Sequence, residues 1–529
     1  MRKKANEVGS ANERRAGEGH DGYEVVAGSV ARSGLWSVFG QGASLVAALI
    51  ATPFTIRLLG PARYGFLSLV QSVQGWVGLA DVGMAMASTR VAGESRAQGN
   101  DAGEADTTWT AVAITTGVTL VVAIALAAAA PVVVKSILHV HGSLVGPGEL
   151  AVRLVAIVCV TSVLAGTLNT PLVVRLRWRD LTLISAISSL GAIIVVPLAL
   201  AAFGGGVVTP QLVSVCLGII NVVVLILVTV RLAPLMRRPR LSRPAARRLL
   251  RYGSALTIAG LANLPLNTAD RLLLAHYRST TTIAYYVVAW RLATLLTVVP
   301  MAVSQPLFSG FIKLQGSGQL DAMRALYRQA LQGLFLLLTP SMLLLAFIAQ
   351  PFLRLWAGRV YGVHSTDLFY IMVVGVWFDA AGWLPAYFLS LDHMKQFAML
   401  RVIEVVPYVV VTAVLTSRFG PVGTAVAWAG RLTFDATTLF ILARRFGGVS
   451  ISPLSTNRVR SASFPLALGL VLLVLTTMTA SLPARLGYGI ISALIYAALM
   501  WRLGLTQRER DGLQALSPLR RVMKPTRPV

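Results

Sequence analysis

Residues 263–305 read NLPLNTADRLLLAHYRSTTTIAYYVVAWRLATLLTVVPMAVSQ, two apolar segments joined by a short polar turn. Inside those segments stand Asn263, Asn267, Asp270, Arg271 and Arg291. Asn267 lies four residues after Asn263, and Asp270 and Arg271 lie three and four residues after Asn267, which predicts a single polar face on the first helix. An ionisable side chain inside a bilayer costs about 2.5–3.5 kcal/mol on insertion scales, so such a face is expected to turn toward a bundle interior or an aqueous cavity. Pro265 removes a backbone donor within the same segment and predicts a bend. Arg291 lies roughly ten residues inside the outer boundary; at about 1.5 Å per residue that places it near the bilayer midplane.

The rest of the chain shares this apolar character. Of 529 residues, 55% are hydrophobic and 13% charged, with a mean hydropathy of +0.70. A soluble enzyme of this length is excluded, and an all-α polytopic membrane protein is expected. The net charge of +26 does not imply nucleic acid, because the basic residues fall between hydrophobic segments and face the membrane surface. Cys159 and Cys216 sit within apolar runs with no second ligand at a metal spacing, and His139 and His141 form an isolated H-x-H in a loop. No metal, cofactor, Walker loop or hydrolase motif is expected.

Roughly fourteen spans can be drawn, beginning at 34–56 and 66–88, with the seventh at 249–275, the tenth at 367–391, the eleventh at 397–417 and the twelfth at 422–442, and ending at 464–482 and 487–501. Lys and Arg divide between alternate connections roughly four to one, which favours an even number of spans with both termini cytosolic. The expected organisation is a cytosolic basic tail (1–32), an N-terminal helix bundle (33–234), a cytosolic basic linker (235–250), a C-terminal bundle (251–446), two further spans (462–503) and a cytosolic tail (504–529). RLLGPARYG from Arg57 before the linker is echoed by RLLLAHYRSTTTIAYY from Arg271 after it. VVPLALAAFGGGV from Val195 is likewise echoed by VVPYVVVTAVLTSRFGPVG from Val405. Echoes in the same order suit two pseudo-symmetric six-helix bundles plus two C-terminal helices.

Three more charges are candidates. Arg431 and Asp435 stand at i,i+4, where they can share a face, and a structural ion pair and a cavity role are both open. Asp379 is the acid deep in the tenth span and a possible partner for an arginine. Glu404 and Arg401 are expected to pair locally.

The motifs Leu59 to Gly65 (L-G-x-x-x-Y-G), Asp270–Arg271, Tyr286 to Arg291 (Y-x-x-A-x-R) and Phe419 to Gly423 (F-G-x-x-G) occur in this order along the hydropathy pattern. In this the chain resembles the polysaccharide-biosynthesis, or oligosaccharide flippase, branch of the multidrug/oligosaccharidyl-lipid/polysaccharide exporter superfamily. The resemblance implies a non-enzymatic transporter of the bacterial inner membrane. It would flip an undecaprenyl-diphosphate-linked oligosaccharide by alternating access, for exopolysaccharide, capsule or O-antigen assembly. Membrane lipids, a polysaccharide polymerase and chain-length proteins would be partners. Because arginine forks suit phosphate oxygens, Arg291, Arg271 and Arg431 are the candidate anion contacts, in that order. Asp270, Asn263 and Asn267 would supply the polar face, with Asp379 and Asp435 as charge partners. A lipid II flippase or a cation-coupled drug exporter of the same superfamily is the alternative. A membrane glycan polymerase or ligase ranks behind them, since the longest outer loop, about 134–150, is short.

Overall fold

The computed structural model describes residues 47–75; 83–298 except 141, 176, 205 and 233–238; scattered positions between 300 and 315; 319–447 except 393; and 482–499. The tails, residues 33–46 and the span expected at 464–482 lie outside the described residues. The described chain is helical throughout its regular structure. In a bilayer a helix satisfies its backbone polar groups within its own segment.

Helix α1 covers 47–75 and α2 covers 83–97. They are followed by α3 (Asp101–Ala128), α4 (Val145–Leu168), α5 (Trp178–Phe203) and α6 (Val208–Leu232). Next come α7 (Arg243–Tyr277), α8 (Thr280–Thr294), α9 (Leu320–Trp356) and α10 (Thr366–Asp392). The last described helices are α11 (Met394–Gly447) and α12 (Leu482–Leu499). Among the described residues, seven helices are long and apolar enough to cross a membrane. The predicted eleventh and twelfth spans, 397–417 and 422–442, are joined in α11 across a break at Gly420.

Glycine sets that break. Gly420 has φ 61° and ψ −136°, a left-handed conformation open chiefly to glycine, and Pro421 then opens the second half with its fixed φ. Gly60 does the same within the predicted RLLGPARYG turn, at φ 74° and followed by Pro61. Gly204 closes α5 at φ 64° and ψ −120°, close to the Gly420 geometry, and each of the two glycines follows a phenylalanine.

The burial pattern is that of a membrane helix. On α3, Thr107, Thr108, Thr110, Thr115 and Thr119 point inward while Val118, Leu120, Val121 and Ile124 are exposed. Water would favour the reverse; lipid accepts an apolar exterior and rewards hydrogen bonds between helices. Thr115 of α3 meets Thr167 of α4 at 3.2 Å, and Ser88 of α2 meets Thr170 at 2.9 Å.

The chain divides into two compact units: 1–287 with 398–424, and 288–397 with 425–529. Helices α8 and α11 each contribute to both. In the first unit Leu168, Leu172, Ile184 and Leu225 form a core between α4, α5 and α6. In the second, Phe311, Met323, Tyr327, Leu331, Leu384 and Phe388 do so between α9 and α10. Helix α12 packs on α9, where the Tyr496 hydroxyl donates to the Leu336 carbonyl at 2.5 Å. A Cβ on Gly489 of α12 would lie 3.1 Å from Phe347 Cβ, so these helices approach closely.

Candidate functional site

Asp270 is the centre of the polar groups in the first unit. It is fully buried in α7, and the Tyr286 hydroxyl of α8 donates to its Oδ2 at 2.7 Å. Tyr286 is itself fully buried, so neither group has water to fall back on. Its neighbour Arg271 reaches across to α1, where Nη1 lies 3.5 Å from Ser72 Oγ. Ser72 in turn donates to the Ser68 carbonyl at 3.0 Å, and Ser68 to the Gly65 carbonyl at 2.7 Å. A carboxylate and a guanidinium adjacent in sequence are thus held by different helices. Tyr286→Phe, which removes the phenol donor and leaves the carboxyl buried, is expected to destabilise the protein by about 1–3 kcal/mol. The check is a lower thermal midpoint of the purified chain in detergent, with Tyr285→Phe as the comparison.

The loose motifs acquire physical reasons in this unit. A Cβ at Gly65 would lie 1.8 Å from the Thr280 carbonyl oxygen at the start of α8, so the glycine of the Y-G pair lets two backbones meet. The tyrosine of Y-x-x-A-x-R holds the aspartate of D-R. Arg278, in the turn after α7, covers Gly420: a Cβ there would sit 2.9 Å from Arg278 Nε.

The other predicted positions are spread out. Asn267 is exposed, whereas Asp270 one turn on is fully buried and Arg271 is half-buried, so the predicted polar face contains two environments. Asn263 lies in α7 with its side chain outside those described. Helix α7 continues through Pro265. In the second unit, Arg291 is half-buried near the end of α8. Arg431 is half-buried on α11, and Asp435 one turn later is buried. On α10, Asp379 is half-buried and accepts from Trp383 Nε1 at 3.3 Å. Small residues let α10 and α11 come together there, since a Cβ on Gly375 would meet Ala429 Cα at 2.6 Å.

Two sets of residues lie beyond the predicted candidates, apart from the expected Arg401–Glu404 pair. Glu404, Tyr408, Thr412 and Thr416 of α11 are all buried and recur every four residues, so they form one polar stripe along the helix. The Arg401–Glu404 pair is present at 3.7 Å and anchors its first turn. The spacing was legible, but threonines within an apolar run read as packing. The second set is Glu104 of α3, buried and paired with Arg96 at 3.1 Å and with Arg175. Its signal was faint, because DAGEAD at a helix start reads as ordinary N-terminal acids.

No group of three or more His, Cys, Asp or Glu that could hold a metal occurs among the described residues. Among its described residues the first unit offers hydrogen bonding and charge within an apolar scaffold. The profile of the polysaccharide biosynthesis protein family matches residues 55–365, more than half of the chain. The chain belongs to that family. A putative O-antigen transporter of Shigella flexneri is 21% identical over 194 residues, which covers 36% of this chain and 46% of that relative. The chain therefore aligns with less than half the length of that curated relative. Among solved structures, the lipid II flippase MurJ in an inward closed conformation superposes with a TM-score of 0.72 at 13% identity, covering 88% of this chain and 99% of that one. An inward-facing multidrug transporter of the MATE family, of the MOP superfamily, gives 0.65 at 13% identity, covering 76% and 94%.

This family member thus has the fold of the MOP transporters and is a multi-pass membrane protein. The Leu59–Gly65, Asp270–Arg271 and Tyr286–Arg291 motifs all fall within the matched region. Phe419–Gly423 lies beyond it.

Proposed function

We propose that the chain moves a lipid-linked oligosaccharide, carried on a polyprenyl diphosphate, from the cytosolic to the outer leaflet of the bacterial inner membrane. It does so by alternating access of two pseudo-symmetric six-helix bundles, and both termini are cytosolic. The observation that carries this reading is the family match over residues 55–365. The putative O-antigen transporter supports the same direction.

The physical chemistry is consistent. A diphosphate brings negative charge into the membrane, where a guanidinium fork offers bidentate, charge-assisted hydrogen bonds. Arg291, Arg271 and Arg431 are the proposed contacts, with Asp270, Asn263 and Asn267 supplying polar surface and Asp379 and Asp435 balancing charge. The glycan side of the substrate would come from a glycosyltransferase and be consumed by a polymerase with chain-length proteins.

The test is genetic. In a strain lacking this gene and any backup flippase, lipid-linked repeat units are expected to accumulate facing the cytosol. Their arrival at the outer leaflet at the normal rate would overturn the reading.

A further inference from the structure

Helix α7 is longer than a bilayer requires. Its 35 residues extend about 52 Å at 1.5 Å each, against a hydrocarbon core of about 30 Å. Counting about 20 residues back from Tyr277 leaves the stretch from Arg243 to Gly253 outside the core, on the side that the charge bias marks as cytosolic.

This extension is fastened along one side. Ala245 and Leu249 are buried, and Leu249 packs with Ala87 and Val91 of α2 and Ala111 of α3. Gly253 sits against Met84, where a Cβ would be 3.2 Å from the methionine Cε. The Ser242 backbone N–H donates to Thr110 Oγ1 at 3.0 Å, and the Ser242 side chain caps the helix by accepting from Ala245 N–H at 3.4 Å. The Arg90 guanidinium lies 4.6 Å above the Tyr252 ring.

The opposite side carries Arg243, Arg247 and Arg251 at i, i+4 and i+8, with Arg248 beside them, all exposed. Leu250, 52% exposed, stands among them. No Asp or Glu occurs from Arg231 to Ala269. Neighbouring arginines are neutralised within the protein: Arg90 by Glu94, Arg96 and Arg175 by Glu104, Arg177 by Asp180. Among the described residues, none of the four on α7 has an acidic partner. A helix that is cationic with an outward leucine, held rigidly at headgroup depth, matches an anionic lipid surface.

We propose that the Arg243–Arg251 face of α7 binds anionic phospholipid headgroups of the cytosolic leaflet through Arg243, Arg247, Arg248 and Arg251. The leucine seats between acyl chains while the guanidinium groups take the phosphate oxygens. This face is separate from the proposed diphosphate contacts on the spans, and the binding does not depend on which glycan is carried.

The purified full-length chain in detergent is titrated with phosphatidylglycerol, with phosphatidylcholine and with inorganic pyrophosphate, and its Tm is followed. Phosphatidylglycerol is expected to raise the midpoint more than phosphatidylcholine does, and added salt should erase the difference. In the variant R243Q/R247Q/R248Q/R251Q the apparent affinity for phosphatidylglycerol is expected to fall about tenfold or more. Its midpoint in phosphatidylcholine should match the wild type. An undiminished phosphatidylglycerol effect in that variant overturns the proposal, and so does an equal effect of pyrophosphate alone, which would mark a soluble-anion site. Should the quadruple variant fail to accumulate, R247Q/R248Q decides in its place: an effect equal to the wild type's overturns the proposal.

Discussion

Arg291→Ala is expected to abolish polysaccharide export while the protein still accumulates in the membrane. Arg291 is the twelfth residue of α8, which begins at Thr280. Eleven rises of about 1.5 Å put it about 16 Å from that end, close to the middle of a 30 Å core. A guanidinium there is costly and persists only where something uses or balances it. If it contacts the diphosphate, truncation removes one side of a desolvated charge pair. That costs about 2–5 kcal/mol, and at about 1.4 kcal/mol per tenfold it corresponds to a loss of one and a half to three and a half orders of magnitude. Arg291→Lys keeps the charge but not the fork, so export is expected to fall between wild type and alanine. Surface polymer and membrane abundance, measured in the same cells, separate lost transport from lost protein. Wild-type export from the alanine variant would make Arg291 a packing residue.

Gly65→Ala is expected to prevent accumulation of the folded protein. One added methyl group would meet the Thr280 carbonyl oxygen at 1.8 Å and the Thr280 carbonyl carbon at 2.8 Å. Overpacking a core usually costs about 1–3 kcal/mol because side chains shift, but here the obstacle is backbone at the start of a helix. Accommodation means separating α1 from α8, so the cost should exceed that range. Two other glycines calibrate the result. Gly117 has open space around its Cβ position, and Gly117→Ala should be neutral or slightly stabilising. Gly60 also has open space but sits at φ 74°, so Gly60→Ala should cost about 1–2 kcal/mol of backbone strain. Abundance in membranes and monodispersity after extraction should rank Gly117→Ala first, Gly60→Ala second and Gly65→Ala last.

The helices were largely legible because bilayer thickness and backbone satisfaction leave few choices, so α3 to α11 fall near the spans drawn from hydropathy. Boundaries were less so. Helix α7 begins at Arg243 rather than at the predicted Leu249, because capping by Ser242 and packing of Ala245 and Leu249 extend it beyond the apolar run. Hydropathy cannot register that extension, since it is carried by one side of an arginine-rich turn. Asp270 stood out as a charge in a greasy segment. Its partner Tyr286 did not, since an aromatic in a span reads as packing until a carboxylate is seen 2.7 Å away. Spacing placed Asn267 with Asp270, but neighbours, not periodicity, decide exposure. The Glu104 pairing with Arg175 joins residues 71 positions apart, and no local pattern encodes it.

The most direct measurement uses the purified chain in proteoliposomes loaded with a polyprenyl-diphosphate oligosaccharide, followed by a glycan-cleaving enzyme added outside. With the wild-type protein, the glycan initially in the inner leaflet is expected to become accessible and be cleaved, and with Arg291→Ala it should stay protected. If cleavage stops at the outer-leaflet pool with the wild-type protein, as it does in protein-free vesicles, this chain does not move the lipid-linked oligosaccharide.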